Sequence, residues 1–129
     1  PNDLLALPKF DAVICMSVGH HIIRAYGLAT AGEFVTALVS RVNKVLIFEV
    51  GTSEESSWTE FLPELSQGHE VFVRDFLERC GLRNVRVIAE SPAYHREVQR
   101  LLFVAEPKEE PKESSDRSLQ GSEGRLKLV

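Results

Sequence analysis

Two short apolar runs, FDAVICMSV at residues 10–18 and KVLIFEV at residues 44–50, constrain this chain more than any other feature. Each is apolar at nearly every position and rich in Val, Ile and Phe. That is the pattern of a strand buried on both faces, as in a parallel sheet. The stretch between them has a helical period. Phe34, Leu38 and Val42 recur at four-residue spacing, with Val35 and Val39 beside them. The period predicts a helix over residues 30–42, opened by Thr30 and Glu33 at capping-box spacing and closed at Asn43. A shorter helical segment is read over residues 21–27. Two such strands joined by a helix form a right-handed parallel crossover.

Downstream, Gly51 opens a polar loop, and Trp58, Phe61 and Leu62 lie in a long connection that ends near Gly68. Residues 69–80 carry a second helical stripe, Phe72, Phe76 and Cys80, with Gly81 as its left-handed stop and Leu82 folding back. Residues 84–89, NVRVIA, read as a third strand with Val85, Val87 and Ala89 on one face. Residues 98–105, VQRLLFVA, read as a fourth. The short link between the last two implies an antiparallel hairpin. The expected order is β-α-β-α-β-β, an α/β fold.

With 129 residues, 43% of them hydrophobic and 26% charged, the chain suits one globular domain. The text changes at Glu106. From there it has no aromatic residue, two prolines and mixed charges, too little apolar surface to offset the entropy of ordering. We expect a folded domain over residues 1–106 and a disordered tail over 107–129. The net charge of −4, without clustered Lys or Arg, argues against a nucleic-acid partner. No run approaches the roughly 20 continuous apolar residues of a membrane span, so no membrane partner is expected. The opening PNDLLALPKF lacks the pattern of a signal peptide, and a first residue other than Met hints at missing upstream sequence. Cys15 and Cys80 lie far apart with no CxxC, and both read as reduced thiols of a cytoplasmic protein.

The residues able to carry chemistry gather where the two apolar runs end. His20 and His21 follow the first, and Glu49 closes the second. A neutral imidazole can take a proton from a hydroxyl or amine. Neighbouring residues do not face one site, so one His is expected to face a pocket, with His21 preferred, and the other to pack or cap. A carboxylate such as Glu49 at a strand end needs either a wet cleft or a partner. Cys15, Met16 and Ser17 end the first strand, where open α/β sheets bind ligands; core packing is the alternative for Cys15 and Met16. His69 and His95 read as surface or capping residues. The absence of HxxxH, CxxC and HxH gives no metal site, and no nucleophile elbow is present.

Phe10-Asp11, the CMSVGHH passage at residues 15–21, KVLIFE at 44–49, FLERCGLRNVRVI at 76–88 and RLLFVA at 100–105 together resemble the C-terminal half of a class I S-adenosylmethionine-dependent methyltransferase. The resemblance implies a partial Rossmann-like methyltransferase sheet that begins at the family's fourth strand and closes with an antiparallel strand. It implies S-adenosylmethionine as cofactor, with Cys15, Met16 and Ser17 along its methionine part. It also implies a small-molecule methyl acceptor, with His20, His21 and Glu49 on the substrate side. The family's Gly-rich turn and the acid that holds the ribose hydroxyls are missing: no GxG occurs. The chain is therefore expected to supply the substrate-side half of an enzyme and to be inactive alone. Its first strand would be an exposed edge, open to a missing N-terminal half or a second copy. The alternative is a noncatalytic interaction module that uses the same edge.

Overall fold

The computed structural model describes residues 2–52, 68–93 and 97–109. Its elements, in chain order, are α1 (Asn2–Leu5), β1 (Phe10–Met16), α2 (Gly19–Val39), β2 (Val42–Glu49), α3 (His69–Arg79), β3 (Leu82–Pro92) and β4 (Gln99–Pro107). The four strands form one sheet in the order β1-β2-β4-β3. β1 and β2 are parallel neighbours, with Cys15 beside Phe48 and Met16 beside Glu49. β3 and β4 pair antiparallel, as the short link between them implied. β4 also inserts between β2 and β3, antiparallel to β2, with Ile47 beside Val104.

Local chemistry sets the element ends. α2 is broken at Gly27, whose backbone (φ 88°, ψ 167°) suits glycine almost alone, and this break separates the two helical segments read from the sequence. The helix then runs through Thr30, so the Thr30–Glu33 pair lies inside it and caps nothing. It ends at Val39, before Val42 and Asn43, because β2 has already begun: the Phe10 N–H donates to the Arg41 carbonyl at 2.8 Å. Val42, read as the last residue of the helical stripe, enters the core from a strand instead, 4% exposed. Gly81, at φ 98°, ends the α3 turn and sends Leu82 into the core. β3 is longer than its sequence pattern suggests. Register shifts at Arg83/Arg86 and Val87/Ala89 move Ala89 off the face that buries Val85, so those residues do not share one face.

One side of the sheet is packed. Cys15, Leu46, Phe48, Phe103 and Ala105 meet Ala31, Val35 and Val39 of α2 and Phe72, Val73 and Leu77 of α3 in a single core. The opposite side of β1 is open: Ile14 is 65% exposed and Met16 44%. The expectation that this strand is buried on both faces is therefore wrong for this chain. Successive right-handed crossovers in one direction put both helices on the same side. β1 also ends the sheet, and among the described residues no strand pairs with its outer edge. α2 is long and apolar enough to cross a membrane by length and composition, although His20, His21, Arg24 and Glu33 interrupt it, so it is not a continuous apolar run. In the fold, its Ile23, Ala31, Val35 and Val39 are buried in the core. β4 continues to Pro107, and the Lys108 N–H bonds to the Gly81 carbonyl, so pairing runs past Glu106. The tail from residue 110 onward, Trp58, Phe61 and His95 lie outside the described residues.

Candidate functional site at the strand ends

The parallel pairing of β1 and β2 brings their carboxyl ends together, and Ser17 and Glu49 meet there. Ser17 is a non-glycine residue at φ 57°, a left-handed conformation that costs about 1–2 kcal/mol. Glu49 holds it there. The Ser17 N–H donates to the Glu49 carbonyl at 3.2 Å, and Ser17 Oγ donates to Glu49 Oε1 at 2.9 Å. Arg100, on β4, completes the cluster: its Nη1 donates to Ser17 Oγ and to Glu49 Oε1, each at 2.8 Å. The Arg100 and Glu49 side chains keep only 14% and 6% of their surface exposed. Buried pairs of this kind are costly to break, because the survivor is left as an uncompensated charge, about 3–5 kcal/mol.

His20 and His21 open α2 beside this cluster, and their rings lie 4.3 Å apart. His20 is 2% exposed, and its Nδ1 accepts the Gly51 N–H at 2.9 Å. That acceptor role puts the ring proton on Nε2 and ties the start of α2 to the loop leaving β2. His21 is exposed, its main chain fixed by a bond from its N–H to the Val18 carbonyl. Gly19 lets the helix start lie against the sheet: a Cβ there would stand 3.2 Å from Phe48 Cζ. Cys15 points into the core at 6% exposure, and burial pushes its thiol up to about 11. Met16 and Ser17 are exposed.

The sequence-derived candidates thus converge on one end of the sheet. Ser17, Glu49, His20 and His21 lie together, whereas the Cys15 side chain belongs to the core. Arg100 was missed. Its signal was present: a lone cation opening the apolar run LLFVA needs a counter-charge, and Glu49 ends the neighbouring apolar strand. A cavity of about 800 Å³ lies at the other end of β1 and β2, lined by Lys9, Val42, Lys44, Arg83 and Lys108 among others. Most of its cations already have partners: Lys44 pairs with Asp11, Arg83 with Glu106 and Glu109, and Lys108 with the Glu78 carbonyl. Ligands of open α/β sheets bind at the carboxyl ends of the strands, so the Ser17–Glu49 end is the better candidate. Among the described residues, no group of three His, Cys, Asp or Glu side chains is placed to hold a metal.

A parallel pair continued by a reversed strand, with its polar cluster at the carboxyl ends, is the arrangement of an α/β methyltransferase fold, and comparison with solved structures supports that fold. The chain is similar to the bifunctional kinase-methyltransferase WbdD, with a TM-score of 0.63 at 23% identity over 81% of this chain and 22% of that one. It is also similar to magnesium protoporphyrin IX methyltransferase (ChlM) from Synechocystis PCC 6803 with bound SAH, with a TM-score of 0.51 at 19% identity over 82% of this chain and 49% of that one. The chain therefore spans about a fifth of the first protein and half of the second. No family model and no curated protein sequence matches it.

Proposed function

We propose that this chain is the substrate-side part of a cytoplasmic S-adenosylmethionine-dependent methyltransferase that acts on a small molecule. The observation that carries the reading is the meeting of Ser17, Glu49 and the His20–His21 pair at the shared carboxyl end of two parallel strands, in a fold shared with methyltransferases. The exposed Met16 and Ser17, with the Cys15 main chain, fit one wall of a cofactor site. The Gly-rich turn and ribose-binding acid are supplied by a missing N-terminal half. When bound, S-adenosylmethionine supplies an electrophilic methyl group on sulfur. With the cofactor bound, the residues at this strand end would hold an acceptor in line with that methyl group and receive the proton it gives up. His21, exposed at the helix start, takes that proton, while buried His20 positions the loop after β2. Glu49 stands at the rim.

Two measurements test this. Calorimetric titration of the 129-residue chain with S-adenosylhomocysteine should give no detectable binding. The reading frame upstream of Pro1 should encode a strand, a Gly-rich turn and a strand ending in an acid. A start codon immediately before Pro1 would instead favour a noncatalytic module. The specific observation behind that second reading is the outer edge of β1, which no described strand pairs, with Ile14 65% exposed; a second copy or another partner could add a strand there.

A further inference from the structure

The corner between β1 and α2 combines costs that the rest of the described fold avoids. Elsewhere the described backbone takes a positive φ only at Gly27, Gly68, Gly81 and Asn84, and asparagine is the non-glycine side chain that tolerates this region best. Ser17 is the exception, at φ 57°. Glycine would adopt the same turn without strain, so what serine adds here is its hydroxyl. That hydroxyl donates to Glu49 Oε1 at 2.9 Å and accepts from Arg100 Nη1 at 2.8 Å. The Arg100–Glu49 pair is itself largely buried, and such a pair adds little to stability over apolar packing. Strain and buried charge that do not serve stability collect where a fold fixes a working geometry.

The geometry held there leads to the histidines. Only Ser17 and Val18 separate β1 from α2, so the direction taken at Ser17 sets where the helix starts. The Val18 carbonyl then receives the His21 N–H at 3.0 Å and the Ile22 N–H at 3.2 Å. Ser17 follows β1 and Glu49 ends β2, whereas Arg100 comes from β4 and its Nη1 donates to both. We infer that Arg100 is a positioning residue: acting through Glu49 Oε1 and Ser17 Oγ, it holds the left-handed turn that fixes where His21 stands. Its effect on methyl transfer rests on the function proposed above; its hold on the turn does not.

The test reads the folded state of the full 129-residue chain by NMR. The one-bond Cα–Hα coupling at position 17 reports the sign of φ, and the coupling across the hydrogen bond from His21 N–H to the Val18 carbonyl reports the helix start. Wild type should show a positive φ and the hydrogen-bond coupling. In Arg100→Gln both should be lost, while the signals of Leu77 and Phe103, in the core, keep their positions. Arg100→Lys keeps the charge and the donors and should retain both. Ser17→Ala removes the hydroxyl alone, should lose both, and carries the test if Arg100→Gln does not fold. A purely structural Arg100 would lower the urea midpoint of Arg100→Gln and leave both readings unchanged in the molecules still folded. That result, or a negative φ in wild type, would overturn the inference. No methyl donor is present, so loss of the turn in a protein that never transfers a methyl group would count against the enzyme reading alone.

Discussion

Side chains here are constrained most where the backbone has least room. Gly19 lies against Phe48 and Val50, which are 1% and 2% exposed and have little space to yield. Gly19→Ala should therefore lose about 1–3 kcal/mol in urea unfolding, the range for overpacking a filled core. At Gly27 nothing lies within 4 Å of an added Cβ, so Gly27→Ala should cost only backbone strain, again about 1–3 kcal/mol. The buried thiol of Cys15 gives a pH signature. Below pH 9.0 it is neutral in both folded and unfolded chains. Between 9.0 and about 11 only the unfolded chain ionises, so stability falls as pH rises through that window. Urea midpoints measured from pH 8 to 11 should fall less steeply in Cys15→Ala than in wild type. Of the site residues, Glu49 and the two histidines were legible because polar groups ending apolar strands are conspicuous. Arg100 shows in the sequence only as a lone cation opening an apolar run; its partner lies 51 residues away and the sheet order brings them together.

Element identity was easier to read than element limits. The apolar runs and the Phe72–Phe76 stripe mark β1, β2 and α3 because burial imposes period on sequence. Period says little about where pairing begins. Val42 keeps helical spacing with Leu38 yet belongs to β2, since a strand neighbour claims its backbone. Nor could two apolar faces on β1 reveal that one of them lies bare in this chain. That exposure sets a prediction: Ile14→Lys, at 65% exposure, should change stability by less than about 0.5 kcal/mol. The same substitution should reduce any self-association measured by sedimentation, because a charge on an edge strand opposes strand addition.

At the scale of the molecule, the hairpin was foreseeable but the position of its second strand was not. A short link says that β3 and β4 pair; it does not say that β4 also pairs with β2. The consequence concerns synthesis. Among the described strands, β2 and β3 are joined through β4, which comes last in chain order. A nascent chain can form its first crossover as it leaves the ribosome, but the seam stays unzipped until residues 99–107 emerge. A chain stopped before Gln99 should show no cooperative thermal transition by circular dichroism. Any stall in translation just short of that point would hold open the raw margin of β2, and a chaperone would find its client there.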